Sequence, residues 1–226
     1  MSSPGMPTVP PAARVILASS NLKKLRELQR ILTAAVPGLH TEQVISAAGI
    51  DLPEVVEDAV TFEGNALLKA RAAARATGLL AVADDSGLAV DVLGGAPGIF
   101  SARWSGRHGD DDANNDLLLA QLADVPDAHR AARFVCAAAL VDPRSGVPGA
   151  EPVEHVERGE MPGILLRERR GEGGFGYDPL FQPDGEMRSA AQLSPEEKDA
   201  ISHRGKAFRA LAAHIARRLP PQSPQP

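Results

Sequence analysis

The residues of this chain best suited to chemistry lie in the segment 83–106. Two carboxylates, Asp84 and Asp85, follow directly on the apolar run 79–83. A Ser-Gly dipeptide, a glycine-rich stretch and an arginine come after them. Carboxylates at the end of a buried strand bind divalent cations, and a bound cation assists reactions at phosphorus. The alternative interpretation is an ordinary strand and turn with solvated aspartates.

Two segments before this pair offer partners for an anion or a metal. The hexapeptide Ser19-Ser20-Asn21-Leu22-Lys23-Lys24 lies between a predicted strand and a predicted helix. The first N–H groups of a helix attract phosphate, although the segment lacks the P-loop pattern. The alternative is an asparagine cap with two surface lysines. Further along, Lys69 follows Asn65 by one helical turn. The residues alone leave four nearby acids open as metal ligands: Glu54, Glu57, Asp58 and Glu63.

Two segments after the pair are suited to a base and a polyphosphate. In Gly173-Gly174-Phe175-Gly176-Tyr177-Asp178-Pro179 the small glycines let a flat ring approach the backbone beside Phe175. Stacking of a base on an aromatic ring contributes about 1–3 kcal/mol. A core phenylalanine in a hairpin is the alternative. In the segment 194–208 four basic side chains cluster in an otherwise acidic chain, which suits a polyphosphate: Lys198, His203, Arg204 and Lys206.

The rest of the sequence predicts the elements that position these residues. Apolar runs predict strands at 14–18, 80–83, 133–141 and 153–158, with a turn at the Ser-Gly dipeptide directly after the Asp pair. Helical spacing and caps predict helices from residue 22, at 62–76 between Thr61 and Gly78, at 110–122, after Ser194, and after Ser202 to Leu219. Strands that alternate with helices indicate an α/β fold, with a mixed central sheet flanked by helices.

Composition narrows the classes of function. The chain has 226 residues, 43% of them hydrophobic, and a net charge of -5. This content suits one α/β domain, or two lobes that share a core, at 14–219, while the Pro-rich segments 1–13 and 220–226 are predicted to be disordered. The acidic balance argues against nucleic-acid binding, and no apolar run reaches the ~20 residues of a membrane helix. The single cysteine, Cys136, lies in an apolar run, which predicts a buried thiol and a reduced, cytoplasmic setting.

Taken in order, these motifs resemble the inosine triphosphate pyrophosphatase family, which removes non-canonical purine nucleotides. The likeness covers about residues 14–215 and rests on ADDSGL-VDVLGGAPGI-SARWSG, GGFGYDP-F and EKDAISHRGKA. The resemblance implies hydrolysis of dITP, ITP and XTP to the monophosphate and pyrophosphate, with Mg²⁺ as cofactor and a purine nucleoside triphosphate as the bound partner. It also implies two lobes with an active-site cleft between them, and a cytoplasmic homodimer.

The resemblance also implies roles for individual residues. Asp85 matches the general base, which binds the metal as well, and Glu54 stands in the place of a second metal ligand. Lys24 and Lys198 are predicted to hold phosphate, and Lys23 stands where many family members carry glycine. The substrate contacts that the resemblance predicts are Ser19, Ser20, Asn21, Leu22, Lys23, Lys24, Lys69, Ser86, Phe175, Gly176, Tyr177, Asp178, Lys198, His203 and Arg204. Among these, Phe175 would stack on the base, and the pair His203 and Arg204 would read the purine.

Two other functions stay open at this point. A Maf-like nucleotide pyrophosphatase shares the opening in which a strand, a serine and a helix follow one another, but the other signatures of that group are missing from this sequence. A catalytically silent nucleotide-binding regulator would have no need of Asp85, Lys24 and Lys198 together.

The expected reaction is attack by water on the α-phosphorus, with Asp85 accepting the proton of that water.

Overall fold

The computed structural model describes residues 9–19, 22–48, 50, 52, 55–144 and 151–219. The predicted disordered segments lie largely outside these ranges, as do Ser20, Asn21 and Glu54. The side chains of Leu22 and Lys23 are likewise not described. In residues 9–13 the Ala13 N–H donates to the Pro10 carbonyl (2.9 Å), which closes a turn.

Five α-helices and six strands lie in the described part of the chain. The helices are α1 (Leu22–Ala35), α2 (Phe62–Thr77), α3 (Asp111–Gln121), α4 (Pro195–Ile201) and α5 (His203–Arg218). The strands are β1 (Val15–Leu17), β2 (Val44–Ser46), β3 (Leu80–Val90), β4 (Ala131–Asp142), β5 (Val153–Leu165) and β6 (Phe181–Pro183). None of these helices combines the length and the apolar character needed to span a bilayer.

The strands form one sheet in the order β2-β1-β3-β4-β5-β6. Strand β1 pairs in parallel with both β2 and β3, whereas β5 and β6 are antiparallel. The predicted α/β fold with a mixed sheet is therefore confirmed. From β1 the chain passes through α1 to β2, which lies on one side of β1, and then through α2 to β3, which lies on the other side. Right-handed crossovers place two such helices on opposite faces of the sheet. The carboxyl end of β1 and the part of β3 beside it are thus a switch point, where open α/β sheets bind ligands.

The chain forms two compact units, and the boundary along β3 falls between Asp85 and Ser86. The first unit comprises residues 1–85, 137–157 and 207–226, and its core includes the fully buried β1 together with the apolar faces of α1 and α2. The second unit comprises residues 86–136 and 158–206. Its core contains Leu88, Val90, Leu118, Phe134, Met161 and Phe181. Cys136, at 0% exposure, is buried as predicted.

The helix ends follow the capping residues seen in the sequence. The Thr61 hydroxyl accepts a hydrogen bond from the Gly64 N–H (3.1 Å) at the start of α2. Gly78 ends that helix with a left-handed φ of 68°, which glycine adopts without strain. Ser194 caps α4 ahead of Pro195, and the Ser202 hydroxyl accepts from the Gly205 N–H (2.9 Å) in α5. Each of these contacts joins residues at most four positions apart, which explains why the sequence predicts them.

Strand β3 corrects one prediction. The expected turn at Ser86-Gly87 is wrong, because β3 continues through these residues to Val90. The Leu88 N–H donates to the Ser101 hydroxyl (2.9 Å), and a Cβ at Gly87 would lie 2.4 Å from the Gly98 carbonyl oxygen. Glycine is thus present to permit close packing of an extended strand. Strand β5 also runs beyond its predicted end, and the three-residue strands β2 and β6 were not predicted.

Candidate active site

Strand β3 carries Asp84 and Asp85 just beyond the point where β1 ends. Leu17 pairs with Val82, and the Ala18 N–H donates to the Val82 carbonyl (2.8 Å). Consecutive residues of a strand project to opposite faces of the sheet. The two carboxylates therefore meet different surroundings, although they are neighbours in sequence.

Asp84 is paired with a lysine from α1. Lys24 Nζ donates to Asp84 Oδ2 at 3.3 Å. The Asp84 side chain is 1% exposed and that of Lys24 is 20% exposed. This pair connects the predicted phosphate-binding segment at the start of α1 with the aspartate pair of β3.

Asp85 is held by two side chains of α2. Lys69 Nζ donates to Asp85 Oδ1 (3.3 Å), and Asn65 Nδ2 donates to Asp85 Oδ2 (3.2 Å). Lys69 also contacts Glu57 (3.1 Å). Asn65 is fully buried, and its Oδ1 accepts from the Ala59 N–H (3.1 Å), so one amide side chain joins the segment 55–61 to Asp85. The prediction that Asn65 and Lys69 face the same side of the helix is confirmed.

The electrostatics of this carboxylate–lysine cluster favour a basic Asp85. Burial is the largest influence on Asp85 and raises its pKa above the ordinary value. The charges of Glu57 and Asp84 raise the pKa further, whereas the Lys69 charge and the Asn65 hydrogen bond lower it. Burial works against the charge of Lys69, but the attraction of Asp85, Asp84 and Glu57 is larger, and the Lys69 pKa is raised. The cluster therefore keeps Lys69 charged and makes Asp85 a better proton acceptor than a solvated aspartate.

The donor set of the cluster is suited to a hard cation. Asp84, Asp85 and Glu57 bring three carboxylates against the two ammonium groups of Lys24 and Lys69. Mg²⁺ is usually held by one or two carboxylates together with substrate phosphates. Among the described residues no group of three or more His, Cys, Asp or Glu side chains is arranged to hold a metal by itself. Glu57, one of the acids left open by the sequence, contacts Lys69, and Glu54 lies outside the described residues.

A second cluster surrounds the half-buried Phe175 in the second unit. Arg204 lies over the Phe175 ring at 4.9 Å from its centroid, and Lys198 Nζ lies 5.1 Å from it. Arg204 Nη2 also donates to the Ser86 hydroxyl (2.8 Å). Lys198 pairs with the buried Asp178, whose carboxylate accepts from the Phe175 N–H (2.9 Å). An aromatic face attracts cations, so Phe175 and the two basic side chains form one contact cluster.

The glycine-rich loop that carries Phe175 is fixed by its own packing. Gly174 has a φ of 73°, and a Cβ there would lie 2.1 Å from Asp178 Oδ2, so glycine is required on both counts. Tyr177 is 3% exposed, and its hydroxyl donates to the Ser101 carbonyl (2.9 Å). Burial raises the Tyr177 pKa, with a further contribution from Asp111. The Tyr177 side chain therefore anchors the loop to the second unit.

The remaining predicted contacts are placed as follows. Ser19 is half-buried at the end of β1, and its carbonyl accepts from the Ser46 hydroxyl (2.9 Å). His203 is 2% exposed and stacks on Phe134 with ring centroids 4.9 Å apart. The structure thus groups Lys24, Lys69 and Asp85 in the first unit and Ser86, Phe175, Gly176, Asp178, Lys198 and Arg204 in the second. The roles of these residues toward a substrate stay predictions.

Three residues that the sequence does not predict as site residues hold the predicted ones in place. The sequence predicts only that Asn65 lies one helical turn from Lys69, and the structure adds its hydrogen bond to Asp85. Asp111 and Asn115 of α3 both bond to the backbone of Gly176. An asparagine in an otherwise amphipathic helix is the signal for such a contact, since amides favour positions where they can bond to backbone. Which backbone it bonds to depends on the tertiary structure.

Comparison with known proteins gives full-length similarities. Residues 15–214, which include both clusters, match the Ham1 family. The dITP/XTP pyrophosphatase of Streptomyces avermitilis is 61% identical over 198 residues, which cover 88% of this chain and 94% of that protein. The dITP/XTP pyrophosphatase of Mycobacterium tuberculosis H37Rv is 58% identical over 199 residues, covering 88% and 93%.

Solved structures give the same result for the fold. The nucleoside-triphosphatase, dITP/XTP pyrophosphatase, of Mycobacterium abscessus superposes with a TM-score of 0.67 at 52% identity, covering 89% of this chain and 98% of that one. A HAM1 protein from Coxiella burnetii superposes with a TM-score of 0.76 at 38% identity, covering 91% and 99%. The similarity extends over nearly the whole of each chain.

Proposed function

Since the chain belongs to the Ham1 family, we propose that it hydrolyses dITP, ITP and XTP to the nucleoside monophosphate and pyrophosphate. The family resemblance predicted from the motifs is confirmed. Relatives that bear the name dITP/XTP pyrophosphatase support the substrate class. The structural observation that carries the proposal is the position of Asp85, a buried carboxylate held by Lys69 and Asn65 at the switch point of the sheet.

Asp85 would act as the general base. Lys69 and Asn65 fix its two oxygen atoms, so the carboxylate has a defined direction in which to accept a proton. A raised pKa makes it a stronger base, and positioned proton transfer contributes about 10²- to 10⁴-fold to a rate. The attacking water would give its proton to Asp85 as its oxygen bonds to the α-phosphorus, and pyrophosphate would leave.

Mg²⁺ fits the oxygen donors of this cluster. Asp85 would hold it, with Glu54 as the second ligand that the resemblance implies. When bound, Mg²⁺ would neutralise phosphate charge and lower the pKa of a coordinated water. Lys24 and Lys69 would place fixed positive charge beside the phosphate chain, since both ammonium groups already lie against the acidic pair.

The second cluster would recognise the base. Phe175 would stack on the base, and Arg204, which lies over the same ring, is held by the Ser86 hydroxyl. A guanidinium is only a donor, so it suits the 6-oxo group of hypoxanthine or xanthine and opposes the 6-amino group of adenine. A site that leaves buried donors without a partner rejects the wrong substrate strongly. Discrimination against adenine would therefore depend on Arg204.

The test is a product assay with four nucleotides. The purified chain is incubated with Mg²⁺ and dITP, XTP, dTTP or dATP, and the products are separated by anion-exchange chromatography. We expect pyrophosphate and monophosphate from dITP and XTP, and loss of activity with EDTA. Release of orthophosphate, a preference for dTTP, or no turnover at all would overturn the proposal. Sedimentation equilibrium tests the homodimer that the resemblance also implies.

A further inference from the structure

Two side chains on one face of α3 form hydrogen bonds with the N–H and the carbonyl of Gly176. The Gly176 N–H donates to Asp111 Oδ2 (2.8 Å), and the Gly176 carbonyl accepts from Asn115 Nδ2 (2.9 Å). Asp111 and Asn115 are four residues apart and therefore lie on the same face of the helix. The N–H and the carbonyl of one residue belong to different peptide groups. The two contacts together fix both peptide planes that flank Gly176.

Gly176 follows Phe175 directly, so these planes set the direction of the Phe175 backbone and ring. Gly176 has a φ of 61°, a conformation that glycine adopts readily, and no atom lies within 4 Å of the position a Cβ would take. The residue is therefore constrained by its torsion and its hydrogen bonds, not by crowding. On the other side of Phe175, the Phe175 N–H donates to the Asp178 carboxylate (2.9 Å).

The Asn115 amide is a donor group held in a buried position. Asn115 is 2% exposed, and its Nδ2 donates to the Asp111 carbonyl (2.7 Å) as well as to Gly176. Its Oδ1 is buried with no hydrogen-bond partner among the described residues. An unsatisfied buried acceptor lowers stability. Asn115 is present although its Oδ1 lowers stability, which indicates that the hydrogen bonds donated by its Nδ2 have a function. Asp111, in contrast, is exposed, so its bond to Gly176 competes with water.

We propose that Asn115 is a positioning residue for base recognition, which acts on the substrate through Gly176 and the Phe175 ring. The proposal rests on the proposed function, since it takes the Phe175 loop as the site of the purine. Loss of the Asn115 donor would free the Gly176 carbonyl and let the ring leave the orientation required for stacking. The carboxylate–lysine cluster would be unaffected.

The first test measures amide hydrogen exchange in the loop. Asn115→Leu removes the donor at similar volume, and Asn114→Leu is the matched control. Asn114 is also 2% exposed, but it bonds to the Ser105 N–H (2.7 Å) and the Ala102 carbonyl (3.4 Å) outside the loop. We expect exchange in the segment 175–178 to accelerate at least tenfold in Asn115→Leu and to stay as in wild type in Asn114→Leu. No acceleration in Asn115→Leu, or equal acceleration in both, overturns the proposal. If Asn115→Leu does not fold, Asn115→Ala carries the same test.

The second test is kinetic. Asn115→Leu should raise KM for dITP about tenfold, which corresponds to about 1.4 kcal/mol, with kcat within about twofold of wild type. Inorganic tripolyphosphate, which has no base, should inhibit both variants and the wild type equally. A fall in kcat without a change in KM, or weaker inhibition by tripolyphosphate, overturns the proposal. Failure of the wild type to hydrolyse dITP would instead overturn the proposed function, and the exchange measurement would still decide the role of Asn115 in the loop.

Discussion

Replacement of Asp85 by asparagine should separate catalysis from stability. Burial raises the pKa of Asp85 above 3.8, Lys69 lowers it, and Glu57 and Asp84 raise it further. A carboxyl group with a raised pKa in the folded state contributes stability that is present below the unfolded pKa and lost as the pH rises through the folded one. At pH 7 the cost of burying the ionised Asp85 therefore offsets part of what its pairing with Lys69 contributes to the free energy of unfolding. Asp85→Asn should lower the Tm less than Asp84→Asn does.

The same substitution should remove most of the activity. Asparagine keeps the shape of the side chain but cannot accept a proton from water. A lost general base lowers kcat by at least about 10²-fold, which equals about 2.7 kcal/mol of activation free energy. The assay is steady-state release of pyrophosphate from dITP at saturating Mg²⁺. Calorimetry at pH 7 in metal-free buffer gives the Tm without a contribution from bound metal.

Asp84→Asn provides the comparison. The Asp84 side chain is 1% exposed and pairs with Lys24, which is 20% exposed, so the pair lies between a surface ion pair and a fully buried one. Weakening it should lower the free energy of unfolding by about 2 kcal/mol, between the values for those two classes. For a chain of this length that shift lowers the Tm by about 4–8 °C. The reasoning is refuted if Asp84→Asn reduces kcat more than Asp85→Asn does, or if Asp85→Asn lowers the Tm equally.

Phe175→Leu should raise KM for dITP about 5- to 150-fold, the equivalent of about 1–3 kcal/mol of stacking, and an unchanged KM would exclude stacking on this ring. Gly174→Ala should lower the Tm and raise KM, because the added Cβ would lie 2.1 Å from Asp178 Oδ2; calorimetry and kinetics that match wild type would contradict this packing. Burial and the neighbouring His214 lower the pKa of His155, so its contribution to stability is present above about pH 6.5 and lost as the pH falls. His155→Gln should reduce the decline of the Tm between pH 7 and pH 5, and a curve parallel to that of wild type would rule this out.

Features that depend on neighbouring residues can be predicted from the amino-acid sequence alone. Thr61 and Gly78 bound α2 where the capping signals predicted, and Ser194 with Pro195 begins α4 as expected. The apolar run around Cys136 became a buried strand. The order of the motifs along the chain was enough to identify the family. All of these signals are contained in short segments, because helix caps, periodicity and motif spacing need no contact between distant parts of the chain.

Which side chains meet and where strands end depend on contacts between distant parts of the chain. Lys24 reaches Asp84 across 60 positions, and Arg204 reaches Ser86 across 118. No local pattern encodes such pairs. The sequence at Ser86-Gly87 has the character of a turn, yet β3 remains extended there because Leu88 is buried in the core and bonded to Ser101. Burial and long-range hydrogen bonding outweigh local turn propensity at that position, since the apolar area and the backbone donor gain partners only from residues distant in sequence.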